Sequence, residues 1–428
     1  MNLKGVNIKG VNIVNHTSLP LTPIEVPYTV KTHKYGADAT WSHSTDLYYP
    51  TVERKGIDAE INALKYNLQM TVFAHWEFSG SVVNELKGFY NSGRCGVGSY
   101  DYAGKHYVDG VLNDDTYLDY IKNQYEWVKN NFGYYPSVAS YAYSNQTFKD
   151  LLREYYLGVR YSGYDLNEYS YDLLDTGYFA TTTRQADMVG DRSTVLAECS
   201  TALSNAIANG GWYRDFTHWH SCEGTMLEDY FRTQRETIGS NDVAVIDYLT
   251  AIEYMKFRQG LNKINFHTYE SEVYISADVN RHPVLSRDME TTLSVEIDTT
   301  DTILAGKELV SNYGIQKLST NVFIVEVPYN GYATLSESTT GKYLDFSLPS
   351  VTSADISNGK LNVSTSKETK VTVFSVPKGQ ELYNATIVGR NNVFSDSHAI
   401  DIGAINTTTY DIYVGFISEE KQSILHLV

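Results

Sequence analysis

At 428 residues the chain is longer than one ordinary domain and can bury at least one large core. Its 34 basic and 51 acidic residues give a formal net charge of -17, which argues against nucleic acid or an anionic membrane as the main partner and suits a neutral or cationic ligand. Thirty-six tyrosines suit sugar faces and protein interfaces equally, and three cysteines, Cys95, Cys199 and Cys222, exclude a disulfide framework and a zinc-knuckle spacing.

Residues 2–13, NLKGVNIKGVNI, repeat KGVNI with apolar and polar residues alternating as in a short strand. The segment reads as a strand added to the body of the domain or as an arm that docks on a second subunit and makes a homo-oligomer. Pro20, Pro23 and Pro27 mark the following stretch as an extended linker, so residues 1–32 are expected to be arm and linker. Neither a basic, then apolar, leader nor about eighteen consecutive apolar residues occurs, so no membrane span is expected, and the protein is made in the cytosol or its leader has been removed.

From residue 33 to 262, strand and helix patterns alternate. Strands are expected at Gly36–Trp41, Gln69–His75, Cys95–Tyr100, Ser137–Tyr143, Gly158–Tyr161, Tyr178–Thr182, Gly211–His218 and Asp242–Tyr248. The firmest helix lies between Asn113 and Phe132. Leu118, Ile121, Tyr125, Val128 and Phe132 recur at three- and four-residue steps, and Gly133 supplies the left-handed stop. Seven or eight such units in sequence predict an α/β fold, a closed or nearly closed parallel barrel rather than an open sheet. After Leu261 helical patterns give way to alternating runs with Asn330-Gly331 and Asn358-Gly359 turns, which predicts C-terminal all-β sandwich modules at 263–345 and 346–428.

In a parallel barrel the carboxyl ends of the strands share one face, so residues just after each strand can converge. That rule collects His43, Asp46, His75, Trp76, His106, Tyr143, His218, Trp219 and His220. Imidazoles bind a zinc-like divalent metal, and a carboxylate beside a metal-bound water can act as base. The competing reading of each histidine is a structural hydrogen bond to a carbonyl, and each tryptophan is either core or a sugar-stacking platform.

The order of elements resembles the polysaccharide deacetylase family, NodB-homology carbohydrate esterases with a (β/α)7 barrel, which implies a (β/α)7-like parallel barrel for residues 33–262. The match includes an aromatic-Gly-x-x-Pro helix end leading to Ser140-Tyr141-Ala142-Tyr143-Ser144, and Gly210-Gly211-Trp212-Tyr213 leading to Thr217-His218-Trp219-His220. The resemblance implies a metal-dependent esterase acting on a polysaccharide or cell-surface glycan. His218 would be the catalytic histidine, with His220 its alternative; Asp38 or Asp46 the base; His43, His106 and His220 metal ligands; and Trp76, Tyr143 and Trp219 substrate contacts. Three motifs depart from the family. Thr40-Trp41-Ser42-His43-Ser44 lacks both carboxylates of Thr-Phe-Asp-Asp-Gly, Tyr100 replaces a motif histidine, and Ser140 replaces the fourth-strand arginine. The alternative is therefore a catalytically inactive glycan-binding or structural protein. Composition and the β-modules also resemble a bacteriophage virion component in style, which implies a tail or head-surface setting; the competing setting is an exported esterase.

Overall fold

The computed structural model describes residues 20–46, 66, 68, 70–75, 80, 83–84, 86–87, 95–101, 107–108, 111–112, 114–141, 152–162, 180–185, 191–217, 226–239, 241–280, 291–307, 309–311, 313–337, 351–357, 360–365, 369–377, 386–393, 398–401, 410–418 and 422–427. Two short strands, β1 (Thr22–Ile24) and β2 (Tyr28–Val30), precede the barrel. The barrel strands are β3 (Ala39–Asp46), β4 (Met70–Ala74), β5 (Cys95–Asp101), β8 (Val138–Tyr141), β9 (Gly158–Ser162), β10 (Ala180–Gln185) and β11 (Trp212–Thr217). A small hairpin, β6 (Tyr107–Val108) with β7 (Val111–Leu112), stands between β5 and β8.

Each barrel strand is hydrogen-bonded in parallel to the next, and β11 pairs in parallel with β3, Trp212 opposite Thr40 through Thr217 opposite Thr45. Seven strands thus close a (β/α)7-like ring, as the sequence predicts. The eighth expected strand, β12 (Val243–Val245), pairs only with the first residues of β3.

Helix α1 (Asp114–Phe132) buries Ile121, Tyr125, Val128 and Phe132 of the expected stripe, with Tyr117 buried on the same side, while Leu118 is half-buried. Gly133 ends it at φ +85, with its N–H on the Lys129 carbonyl. Helices α2 (Arg192–Ala208) and α3 (Met226–Ile238) pack Leu203, Ala206, Tyr230 and Phe231 against Trp41, Met70, Val72 and Val97 on the outer face of the ring.

Helix α4 (Tyr248–Gly260) is capped by Asp247, whose side chain accepts from the Thr250 N–H. It closes the amino-terminal mouth of the barrel. The Tyr248 N–H donates to Thr71 Oγ1 at 2.6 Å, and its ring lies 4.9 Å from Trp212. A Cβ at Gly158, the first residue of β9, would come within 2.9 Å of Ile252, so this close approach requires glycine.

The other side of α4 belongs to a β-sandwich. One sheet runs β1, β13 (Leu261–Tyr269), β14 (Glu272–Val279), β19 (Ala333–Glu337), β16 (Leu309–Ser311), and the other β17 (Gly314–Lys317), β18 (Val322–Pro328), β15 (Thr292–Asp298), β2. Phe266, Ile275, Val295 and Phe323 share one core with Tyr254 and Phe257 of α4 and with Trp212 at the barrel floor. Residues 22–30 therefore differ from the expected linker: β1 pairs with β13 and β2 with β15, one edge strand for each sheet. Pro23 is tolerated because an edge strand leaves one side without ladder bonds.

Two buried carboxylates fasten the halves. Glu326 accepts from Lys34 Nζ at 2.8 Å, and Glu253 accepts from Ser137 on the barrel side and Thr291 on the sandwich side. Residues 351–427 add seven further strands in antiparallel sheets of three and four. Among the described residues no helix is long and apolar enough to cross a membrane. The repeat at residues 2–13 lies outside the described residues.

Candidate functional site

Side chains of β3 alternate across the ring, and this decides what each polar residue can do. Ser42, Ser44 and Asp46 take one face; Trp41, His43 and Thr45 take the other. Ser42 Oγ accepts from Trp212 Nε1 at 3.1 Å and donates to the Ile246 carbonyl at 2.8 Å, which fixes its face as the lumen side. Trp41 Nε1 donates to Gln234 of α3, which fixes the opposite face as the helix side.

His43 is therefore turned into the helix layer, fully buried, with its ring centroid 5.1 Å from Tyr230 and 5.4 Å from Phe231. Its Nδ1 meets Asp215 Oδ1 at 2.6 Å and its Nε2 meets Thr217 Oγ1 at 3.2 Å. Asp215 also accepts from Tyr213 Oη at 2.8 Å and from Tyr230 Oη. Burial and the neighbouring Asp215 charge push the Tyr230 phenol well above the usual tyrosine range, so it stays a donor. The order Thr217, His43, Asp215 imitates a nucleophile, base and orienter. All three side chains are sealed from solvent, so no substrate reaches them and the network is structural.

The lumen holds a second polar group near the carboxyl end. Asp46, the last residue of β3, is ion-paired with Arg160 of β9 and accepts from Ser140 Oγ of β8 at 2.8 Å. Arg160 also donates to Ser140 Oγ, and its guanidinium lies 4.3 Å from the Phe216 ring centroid and 5.1 Å from that of Phe73. Register explains the meeting, since Ser140 stands directly beside Arg160 in the parallel ladder. Arg214, buried on β11, places its guanidinium 5.1 Å from the Trp212 ring. His75, just past β4, sits between the rings of Tyr100 and Tyr120.

The expected site residues divide accordingly. Asp46 reaches the lumen. His43 does not, because it shares the parity of Trp41. Asp38 precedes β3 at the opposite, amino-terminal rim, exposed and with its N–H on the Asp242 carbonyl, so it does not join Asp46. Trp76, His106, Tyr143, His218, Trp219 and His220 lie outside the described residues. Arg160 is the residue sequence reasoning passed over. Its signal was an arginine inside Gly158-Val159-Arg160-Tyr161, an otherwise apolar strand whose two faces both meet core.

A zinc-like ion needs several nitrogen, sulfur or oxygen donors aimed at one point. Among the described residues no group of three or more histidine, cysteine, aspartate or glutamate side chains is so arranged. Both ring nitrogens of His43 are committed to Asp215 and Thr217, and Asp46, whose Oδ1 takes Arg160 and Ser140, is on the opposite face of β3, so these two expected donors do not meet at one point. The described donor set does not fit the metal that the resemblance implies.

No protein-family model matches the sequence, and no curated protein matches it. Solved structures do. A polysaccharide deacetylase from Mycobacterium smegmatis is similar at 13% identity and a TM-score of 0.40, over 55% of this chain and 93% of its own. A family 4 carbohydrate esterase from Streptomyces lividans is similar at 12% identity and 0.33, over 49% and 92%. An allantoinase is similar at 9% identity and 0.40, over 57% and 96%.

Proposed function

We propose that the chain is a carbohydrate-directed protein that holds a saccharide at the carboxyl end of its barrel without the metal-dependent ester hydrolysis of the enzymes its sequence resembles. One observation carries this reading: the carboxylate at the end of β3 is fastened by a guanidinium and a hydroxyl from two neighbouring strands. A carboxylate held in this way is a rigid acceptor for a sugar hydroxyl, whereas a general base needs its proton acceptor directed at a reacting water. Tyrosine abundance and the acidic balance favour a neutral polyhydroxyl ligand over an anionic polymer.

The test pairs acetate release from acetylated oligosaccharides, with and without added zinc, with binding of the same oligosaccharides by calorimetry. Binding without acetate release is expected, weakened at least tenfold in Asp46→Asn. Zinc-dependent acetate release that disappears in His218→Ala overturns the reading in favour of the esterase. We propose further that the glycan is on a cell surface and that the protein is a virion component assembled as a homo-oligomer through residues 2–13. Its absence from purified particles by mass spectrometry, or assembly unchanged after removal of those residues, counts against that setting.

A further inference from the structure

The outer face of the sandwich sheet that contains β13 and β14 carries a second polar and aromatic group. In an antiparallel ladder, residues opposite one another share a face. His267 is opposite Tyr274, Tyr269 opposite Glu272, and Tyr274 opposite Thr334. The other face of the same strands, Phe266, Val273, Ile275, Ala333 and Leu335, is turned into the core. Alternation alone explains a polar outer face; it does not explain two tyrosines and two glutamates gathered at one hairpin with a third tyrosine, Tyr332, beside them just ahead of β19.

The hairpin turns at Glu270, whose φ of +54 is in the left-handed region, and Ser271. Tyr274 Oη donates to Glu272 Oε2 at 2.5 Å, and the Tyr332 ring stands edge-on to Tyr274 at 6.1 Å and 83°. Tyr269 hydrogen-bonds Glu270, which raises its phenol above the ordinary tyrosine value. His267 Nδ1 is buried and has no hydrogen-bond partner. Tyr274 is buried, and Tyr269, Glu272 and Tyr332 beside it are half-buried.

We infer that this face, centred on Tyr269, Glu272, Tyr274 and Tyr332, is a binding site for a neutral saccharide, separate from the barrel lumen. The half-buried rings of Tyr269 and Tyr332 can cover the C–H face of a pyranose, while buried Tyr274 holds Glu272 in place, and a carboxylate that has accepted one phenol keeps lone pairs for the sugar's vicinal hydroxyls. The occupant is neutral because Glu270 and Glu272 repel a uronic or phosphate polymer, as does the chain's net charge of -17.

Affinity electrophoresis of the full chain tests this, in gels containing a neutral glucan, mannan, galactan or soluble chitin derivative, and in gels containing polygalacturonate. Retardation by at least one neutral polymer and none by polygalacturonate is expected, with at least a fivefold loss in Tyr332→Ala and in Glu272→Gln. Thermal unfolding of both variants is measured alongside, so that a variant that fails to fold is replaced by Tyr269→Phe with Tyr332→Leu. Retardation that survives the face substitutions places binding elsewhere and overturns this inference, while leaving the barrel reading standing. Retardation by polygalacturonate, or by none of the polymers, overturns it as well.

Discussion

The outer network around Asp215 and the lumen group around Asp46 invite comparison, because each sets a buried carboxylate against a cation or imidazole, and both involve β3. They differ in what lies beyond them. Asp215 accepts from two tyrosines and a histidine and is covered by α3, so its bonds hold a strand to a helix. Asp46 ends its strand on the face where a barrel presents ligands. A histidine is thus no better a sign of a site than its parity along the strand.

The comparison breaks most readily at Asp215. Asp215→Ala strips three buried donors of their acceptor and is expected to cost about 3–5 kcal/mol by chemical denaturation, with saccharide affinity per folded molecule unchanged. A loss of affinity at constant stability would show that the outer group takes part in binding. Asp46→Asn keeps a hydrogen-bonding side chain beside Arg160 but removes its charge. Because this leaves the buried Arg160 guanidinium without its counter-ion it should cost about 3–5 kcal/mol, and, unlike Asp215→Ala, it should weaken binding per folded molecule at least tenfold. Tyr230→Phe removes one donor from Asp215 and should cost about 1–2 kcal/mol, again with binding intact.

The smallest effect belongs to His33, which joins Thr40 to the Gly210 carbonyl. Burial, with Arg258 adding to it, holds this imidazole below its ordinary value of 6.5, so the folded chain carries it neutral. The unfolded chain takes up the proton first as pH falls. Stability is therefore complete above the unfolded value and is lost as pH falls from there toward the folded value. His33→Gln should flatten the denaturation midpoint against pH across that window, and an unchanged slope would refute the assignment.

Much of this fold was legible in the sequence because its signals are local. The stripe on α1, the Gly133 stop and the barrel strands needed only near neighbours along the chain. What was not legible depended on distant partners. Nothing within residues 22–30 says that they will border two sheets built from residues beyond 261. Nor does Gly158-Val159-Arg160-Tyr161 say that Asp46, 114 residues away, will meet its arginine. Within the candidate site, the strand-end rule points to Asp46, and Asp46 does end β3 on the lumen side. His43 was misplaced because that rule ignores which face a side chain takes.

The two edge strands near the start of the chain also set an order on biosynthesis. Lys31 finds Glu296 only after 265 further residues have been made. At about 5–20 residues per second that interval is on the order of 10–50 seconds, during which the barrel's seven strands emerge while the strip ahead of them waits. Until then the ribbon of β1 and β2 lacks its ladder partners, and completion of the sandwich ends that exposure.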